Sequence, residues 1–519
     1  MSKSFRQSQA TLHTWSGLLV GWVLFIVFVS GTTAYWREAL NRWAQPELPR
    51  VEDPARVVRG SQAFLAKKAP DAKTWFITAP SDRSAAGSVF WVPAKGGGRG
   101  HGRRDTSATI DAEGQPVTAR ATRGGDFFYR FHFDLFYMPV IWARWIVSIC
   151  AMFMLVAILS GIVTHKKIFR DFFTFRGGKG QRSWLDGHNA VAVLGLPFHL
   201  MITYTGLVTL MAMLMPWAVV ANYAKPGAFF DLTFPQAPPA ERADRPAPLV
   251  DIASLWRDGA RRLGTPVDFI AVTNPGDAAA RVTMSASNRA MLSSYTPSIT
   301  YDGVTGKVIW ASPPSGGAQV TAGAMIGLHA GRFGDYPMRW LYFLCGIGGS
   351  LMVASGLVLW TVKRREKLPD PERPHFGFHL VERLNVGVVG GYPLAIAGFL
   401  WANRLLPVGL ADRANAEVNT MFALWGAVLL FAFVRKPVRA WAELLGLTGA
   451  LLVALPVFDM IATPKGLPAT IAAGDWVLAA ADLTLLALGL CFGWAANRVR
   501  RHRPYVRRAR DAERVAMTV

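Results

Sequence analysis

The chain has 519 residues, a formal net charge of +22, 51% hydrophobic residues and a mean hydropathy of +0.24. These values exclude an ordinary single soluble domain and predict a polytopic membrane protein. The lipid bilayer is therefore a predicted partner. Because the basic residues are spread over several loops, the charge favours membrane topology and anionic lipid over a nucleic-acid partner.

Eight apolar runs are long enough to cross a bilayer, whose hydrocarbon core of about 30 Å requires roughly 18 apolar residues or more. They lie at about residues 15–36, 139–163, 188–216, 338–361, 379–402, 418–434, 440–461 and 476–496. The first run is too long for the core of a signal peptide and lacks a cleavage pattern. We therefore predict that it is retained as a helix.

Basic residues cluster in alternate connections between these runs. They occur in 166–182, 363–367 and 435–439 and in the C-terminal stretch "RVRRHRPYVRRAR". Because Lys and Arg near helix ends are retained on the cytoplasmic side, the pattern predicts that both termini are cytoplasmic. The same topology places two long segments, 37–137 and 217–337, outside.

Each outer segment contains two short β-rich runs around a glycine turn. "TSATIDAEGQPVTAR" and "SITYDGVTGKVIWASPP" share this plan, with Asp111 and Gly114 corresponding to Asp302 and Gly306. The pattern predicts a small α+β module in each segment. The Gly-rich basic stretch at 95–105 is interpreted as a solvated loop, with an anion site as the alternative.

The predicted fold class is a polytopic α-helical membrane protein with two small outer α+β modules. The predicted membrane helices are at 1–36, 138–165, 188–216 and 338–362, with four more within 379–497. The predicted outer modules are at 37–137 and 217–337. The predicted cytoplasmic segments are loops at 166–187 and 363–378 and a basic tail at 498–519.

An internal repeat relates the two halves of the first four helices. "RWIVSICAMFMLVAILSG" at 144–161 aligns without a gap on "RWLYFLCGIGGSLMVASG" at 339–356. His13 precedes Gly31 by eighteen residues, and His188 precedes Gly206 by the same number. Because the copies run in the same direction, a pseudo-two-fold axis along the membrane normal is predicted.

The repeat pairs four histidines, two at each end of the core. His13 and His188 become equivalent at the cytoplasmic ends of helices, while His132 and His329 become equivalent on the outer side. Imidazole is a normal axial ligand of haem iron, and such sites in helical bundles join facing helices. The pattern therefore favours two bis-histidine b-type haems over interface packing.

Cysteine usage restricts how a haem would be held. The three cysteines, Cys150, Cys345 and Cys491, lie in apolar runs, and the sequence contains no C-x-x-C-H attachment motif. Any haem is therefore expected to be held non-covalently.

Two further histidines break the symmetry, since Leu24 and Trp360 are the repeat equivalents of His199 and His165. We expect His199 to ligate the outer haem, to contact a propionate or to serve a third cofactor. His165 is an alternative ligand of the inner haem or a neighbour of its propionates. The sequence leaves ligand and supporting roles equally open for both.

The C-terminal region carries its own polar groups. His375 and His379 stand one turn apart, with Glu382 and Asn385 on nearby faces. A quinone entrance or donor-docking site is one interpretation, and capping with interface hydrogen bonding is the favoured one. In the later helices, Asp459 and Asp482 are candidate charged pathway residues.

Six motifs occur in order along the chain: "LHTWSGLLVGW", "FHFDLF", "SGIVTHKKIFRDFFTFR", "DGHNAVAVLGLPFHLMITYTG", "LHAGRFGD" and "RWLYFLCGIGGSLMVASGLVLWTVKRR". Together they resemble the PepSY-associated transmembrane family of iron-regulated bacterial inner-membrane proteins. The resemblance covers roughly residues 1–365, and the region at about 366–497 departs from the family's minimal four-helix plan.

The resemblance implies a four-helix core with periplasmic PepSY-like modules in the bacterial inner membrane. Members similar to siderophore reductases carry two b-type haems and reduce ferric siderophores. By position, the family histidines fall on His13, His132, His188 and His329. The catalytic residues and the substrate are not identified by the sequence.

The predicted mechanism is electron transfer across the membrane. An electron enters the cytoplasmic haem, passes to the outer haem and reduces a ferric siderophore or other ferric chelate. Because no G-x-G-x-x-G nucleotide fingerprint follows a strand in a soluble segment, a separate cytoplasmic reductase or a quinol is expected as donor. Two other classes remain open, a transporter of iron chelates and a non-catalytic regulatory protein.

Overall fold

The computed structural model describes residues 4–49, 53–81, 83, 86–94, 106–164, 176, 180–371 and 373–502. The candidate ligand His165, the basic stretch at 95–105 and the tail beyond residue 502 lie outside the described residues. Most of the predicted loop at 166–187 also lies outside them.

The eight predicted membrane helices are confirmed as helices long and apolar enough to span a bilayer. We label them M1 to M8: Phe5–Ala34, Val140–Thr164, Leu196–Leu214, Tyr336–Arg365, Phe376–Leu405, Arg413–Val434, Pro437–Ala462 and Trp476–Arg500. Shorter helices connect them or precede strands: Arg37–Ala44, Pro54–Lys68, Gly124–Asp134, Gln181–Leu194, Trp217–Asn222, Pro226–Thr233, Ile252–Leu263, Gly317–Ala330 and Leu467–Ala472.

The run predicted as one helix from residue 188 consists of two helices. Gln181–Leu194 ends at Gly195, and M3 begins at Leu196 with a proline in its first turn. Glycine is a poor helix former, and Pro197 has no N–H to donate to the preceding turn. These two residues therefore interrupt the helix inside the predicted span.

M5 contains a local change of helical geometry. Residues Asn385–Gly390 form a π-helical segment within M5. A Cβ at Gly387 would lie 2.6 Å from the Leu429 side chain, and one at Gly391 would lie 2.5 Å from Val428. The small residues therefore allow M5 to pack closely against M6.

The first four membrane helices enclose an apolar cluster. M1 contacts M2 and M4, M3 contacts M2, and Gln181–Leu194 contacts M4. Their buried side chains include Val20, Leu24, Cys150, Met154, Ile158 and Met352. Burying these side chains between helices separates the two ends of the core by an apolar layer.

The two predicted α+β modules join in one antiparallel sheet. The strands are β1 (Thr74–Thr78), β2 (Gly87–Val92), β3 (Ser107–Ile110), β4 (Val267–Thr273), β5 (Arg281–Ala286), β6 (Ser298–Asp302) and β7 (Val308–Ala311). Their order is β3-β2-β1-β4-β5-β6-β7, with Phe76 of β1 opposite Ala271 of β4. Because β1 of one module pairs with β4 of the other, each module covers an edge strand of its neighbour. An edge strand left exposed could pair with another chain.

One face of the sheet is covered by the helices Pro54–Lys68 and Ile252–Leu263. Alternate strand residues such as Ile77, Val89, Ile270 and Val282 are almost completely buried with them. This face forms the core that the two modules share, because side chains on a strand alternate between faces.

The repeated turns of the two modules are confirmed. Asp111 Oδ1 accepts hydrogen bonds from the backbone of Glu113 and Gln115, and Asp302 Oδ1 accepts them from Val304 and Thr305. Both Gly114 and Gly306 have positive φ, 76° and 73°, which glycine adopts without steric cost.

Candidate functional site

His132 and His329 meet where the sheet-bearing segments return to the membrane helices. His132 lies in Gly124–Asp134, just before M2, and His329 lies in Gly317–Ala330, just before M4. Their ring centroids are 6.0 Å apart. We call these two residues the sheet-side pair.

His13 and His188 meet at the opposite end of the core. His13 lies in M1 and His188 in Gln181–Leu194, and their ring centroids are 6.3 Å apart. We call them the far-side pair. The structure therefore brings together each of the two pairs that the repeat predicts.

All four imidazoles are held in the same way, by a backbone carbonyl of a neighbouring helix. The Nδ1–O distances are 2.7 Å for His13 and Ala157, 3.0 Å for His188 and Met352, 2.7 Å for His132 and Val27, and 3.0 Å for His329 and Ile202. A carbonyl oxygen only accepts, so each Nδ1 carries a hydrogen, and in the neutral tautomer Nε2 is the nitrogen with the free lone pair.

A glycine lies four residues after each accepting carbonyl and makes room for the ring. A Cβ at Gly31 would lie 2.6 Å from His132, and one at Gly206 would lie 2.8 Å from His329. At Gly161 and Gly356 the corresponding distances to His13 and His188 are both 3.2 Å. Each glycine follows a Ser or Thr, namely Ser30, Thr205, Ser160 and Ser355.

This arrangement suits an iron held between two imidazoles. Two nitrogen–metal bonds of roughly 2 Å plus the two ring radii place the centroids of trans imidazoles about 6.4 Å apart. The observed separations are 6.0 and 6.3 Å. A hydrogen bond from the other ring nitrogen is the usual way a protein fixes the tautomer and orientation of a metal-binding histidine.

The sheet-side imidazoles are neutral at physiological pH. Burial lowers the pKa of His132, and burial followed by the neighbouring imidazole lowers the pKa of His329 to about 4. Neutral imidazole is the form that binds a metal. The pair is therefore in its ligand form without a deprotonation step.

A cavity of about 400 Å³ adjoins the sheet-side pair. Its lining includes both histidines and five arginines, Arg37, Arg83, Arg144, Arg332 and Arg339, against one carboxylate, Glu38. Arg332 donates to the Tyr129 hydroxyl at 3.0 Å. Three of these guanidinium groups are paired with Asp126, Asp134 and Glu38, whereas Arg332 has no carboxylate partner among the described residues. Arg332 is therefore the group best suited to bind an anionic group such as a carboxylate.

The structure places His199 apart from both pairs. It is fully buried within M3, between Phe28 and Phe198. Its Nε2 lies 3.4 Å from the Cys345 oxygen, and its Nδ1 has no hydrogen-bond partner among the described residues. Within the described residues, the His199 ring also has no ring contact with a histidine of either pair.

The polar set at the start of M5 has structural contacts. His375 caps the helix by accepting a hydrogen bond from the Phe378 backbone at 3.2 Å. Glu382 pairs with Arg365, and Asn385 accepts from the Trp22 indole and donates to the Leu357 oxygen. These contacts support the interpretation as capping and interface bonding.

Asp459 and Asp482 anchor the helix Arg37–Ala44 to the C-terminal helices. Asp459 forms a two-pronged ion pair with Arg404, whose guanidinium stacks 3.6 Å from the Trp43 ring centroid. Asp482 accepts a hydrogen bond from the Trp43 indole at 2.9 Å. Both carboxylates are therefore engaged in helix packing.

Eight membrane helices, a tandem-repeat core and a sheet shared by the two modules define a multi-pass membrane protein with duplicated histidine pairs. The chain belongs to the family described as the PepSY-associated TM region, whose model matches residues 10–363. The matched region contains both pairs and all seven strands. The four C-terminal helices lie beyond it.

One curated relative is similar to this chain. An uncharacterized protein of Pseudomonas aeruginosa is 26% identical over 305 residues, which cover 56% of this chain and 75% of the relative. Its name states neither an activity nor a family, so the family assignment rests on the match over residues 10–363.

Three features of the site were not predicted. They are the carbonyl group four residues before each glycine, the five arginines beside the sheet-side pair and the distance between the paired histidine rings. The repeated Ser-Gly and Thr-Gly steps were a usable signal for the first, since they recur at all four sites.

Proposed function

We propose that this protein is a membrane oxidoreductase that holds two b-type haems and reduces a ferric siderophore or other ferric chelate. The observation that carries the proposal is the duplicated histidine pair. Two pairs at different depths have nearly equal ring separations, 6.0 and 6.3 Å, and the same Nδ1–carbonyl hydrogen bond.

The residues present fit a haem at each pair. His132 and His329 would ligate one iron through Nε2, and His13 and His188 would ligate the other. When bound, haem iron supplies one-electron redox chemistry that no amino-acid side chain in the pairs provides. The four carbonyl groups fix the ring orientations, and the glycines keep space beside the rings.

The arginines at the sheet side fit the two propionate groups of a haem and an anionic chelate next to it. Arg332 has no carboxylate partner among the described residues, and its guanidinium contacts Tyr129. The apolar cluster between the pairs keeps water from the path between them. These features support reduction of the chelate at the sheet side, in the periplasm of a bacterium.

The proposal is tested by haem content. Protein purified from haem-replete cells is expected to contain about two haems per chain by pyridine haemochrome and to show a low-spin b-type spectrum. His329→Ala and His13→Ala are each expected to lose one haem, because each removes one ligand of a different pair. His379→Ala is the matched control, since His379 lies outside both pairs.

A colourless wild-type protein, or full haem content in both His329→Ala and His13→Ala, would contradict the proposal. Reduction of a ferric chelate by the dithionite-reduced protein, followed as re-oxidation of the haem bands, tests the activity separately.

A further inference from the structure

A hydroxyl group accompanies each carbonyl group that accepts from a histidine of the two pairs. The hydroxyl belongs to the residue three positions after the carbonyl and directly before the glycine, namely Ser30, Ser160, Thr205 or Ser355. The proposed function gives these four side chains no role.

Each hydroxyl donates to the same carbonyl oxygen as the imidazole. The oxygen–oxygen distances are 3.2 Å for Ser30 and Val27, 3.2 Å for Ser160 and Ala157, 3.4 Å for Thr205 and Ile202, and 3.0 Å for Ser355 and Met352. Every carbonyl that holds a candidate ligand therefore accepts from two side chains, one hydroxyl and one imidazole Nδ1.

The contact with the shared carbonyl is shortest at Ser355. Its hydroxyl donates to Met352, three residues before it, and its oxygen also lies 3.1 Å from His188 Nδ1. By contrast, Thr32 and Ser350 donate to the carbonyl four residues before them, which is the ordinary contact of Ser and Thr in a helix.

The other three hydroxyls divide their hydrogen between two carbonyl groups. Ser30, Ser160 and Thr205 also make the ordinary contact four residues back, at 2.6 to 2.7 Å. Their effect on the shared carbonyl is therefore expected to be smaller than that of Ser355.

Competition for the carbonyl oxygen weakens the hydrogen bond from the imidazole. The oxygen has two lone pairs, and the helix N–H four residues further along is its usual donor. The hydroxyl and the imidazole thus share what accepting capacity is left. An imidazole whose N–H is bound less strongly is a less basic metal ligand. Since a basic ligand favours ferric iron over ferrous iron, each hydroxyl should favour the ferrous form.

We propose that Ser30, Ser160, Thr205 and Ser355 are positioning residues that raise the reduction potentials of the two haems through the carbonyl groups that hold the imidazoles. This inference rests on the proposed function and adds to it the residues that tune the two sites. Hydrogen bonding around the axial ligands is one of the means by which a protein sets a haem potential.

The experiment is a redox titration of the purified full chain, followed in the haem absorption bands. Ser355→Ala removes the hydroxyl beside His188. Thr205→Val removes the one beside His329 and keeps the volume of the side chain. Ser350→Ala is the matched control in M4, because its hydroxyl donates to the carbonyl four residues earlier.

We expect Ser355→Ala to lower the potential of the far-side haem and to leave that of the sheet-side haem unchanged. One hydrogen bond corresponds to about a fivefold change in the ratio of ferric to ferrous form. For a one-electron couple, at about 59 mV per tenfold, this is roughly 40 mV. Thr205→Val should lower the potential of the sheet-side haem by less, since its contact is longer, at 3.4 Å.

Conservative variants separate tuning from a structural role. Ser355→Thr and Thr205→Ser keep a hydroxyl and should keep the wild-type potentials, as should Ser350→Ala. A purely structural role would instead lower the Tm or the haem content and leave the potential of any retained haem unchanged.

A second measurement does not need haem. In haem-free protein labelled with ¹⁵N-histidine, the Nδ1 signal of His188 reports the strength of its hydrogen bond. Ser355→Ala should shift this signal, which is assigned by its loss in His188→Asn, and Ser350→Ala should leave it in place.

An unchanged or raised far-side potential in Ser355→Ala with two haems bound would overturn the inference and leave the proposed function intact. An unchanged His188 signal in the haem-free variant would also overturn it. A wild-type protein without haem would overturn the proposed function instead.

Discussion

His132 Nδ1 lies 2.7 Å from the carbonyl oxygen of Val27, one helical turn before Gly31. The absent side chain at Gly31 leaves the space that the imidazole occupies. The same relationship recurs at the other three histidines. At every candidate ligand, the backbone of a neighbouring helix therefore fixes the position of the imidazole ring.

Gly31→Ala is therefore expected to displace His132, because its Cβ would lie 2.6 Å from the ring. Overpacking of this kind costs about 1–3 kcal/mol. We expect loss of the sheet-side haem with the far-side haem retained, measured by pyridine haemochrome and a lower Tm. Gly17→Ala is the control in the same helix, since a Cβ at Gly17 would meet nothing within 4 Å. Unchanged haem content in Gly31→Ala would contradict the coupling.

The buried pair Arg404–Asp459 should contribute strongly to the docking of the C-terminal helices. Both side chains are 2% exposed. Arg404→Leu leaves the Asp459 carboxylate without its partner in an apolar setting, which costs about 3–5 kcal/mol. A large fall in Tm is expected, and an equal Tm for variant and wild type would contradict it. Glu443→Gln breaks an exposed pair with Arg435 and should change the Tm little.

Asp258 should make the seven-stranded sheet sensitive to acid. Arg262 and Arg261 donate to its carboxylate, with Tyr301, and they lower its pKa to about 2 despite partial burial. A carboxylate with a lowered folded pKa stabilises the fold above its unfolded pKa of about 4 and loses that contribution as the pH falls toward 2. The protection factors of β6 amides, which correct hydrogen exchange for the intrinsic rate at each pH, should therefore fall between pH 4 and 2.

The matched variant for that measurement is Asp258→Asn. It should exchange faster than the wild type at pH 7 and show a smaller change between pH 4 and 2, because it has no proton to gain. An identical pH profile for both proteins would exclude Asp258 as the titrating group.

The predicted topology is testable with reporter fusions. Fusions after residues 100 and 270 are expected to be active only in the periplasm, and fusions after residues 175, 368 and 519 only in the cytoplasm. The physical reason is the concentration of basic residues in the connections at 166–182, 363–367 and 435–439. A periplasmic C-terminus would contradict a topology with both ends inside.

The sequence by itself determined the membrane helices and the identity of the paired histidines. An apolar run of sufficient length has few alternatives in a bilayer, and the common spacing of eighteen residues from His13 to Gly31 and from His188 to Gly206 matches His13 with His188. The repeat of Asp111 and Gly114 at Asp302 and Gly306 similarly predicted the turns, because each turn is specified by a few neighbouring residues.

Only the tertiary structure decided the contacts between distant segments. The joining of β1 to β4 depends on two edges that are almost 200 residues apart, from Phe76 to Ala271. The isolation of His199 also depends on how whole helices pack. Local patterns carry no information on these distances, since each results from many weak packing contacts summed over the fold.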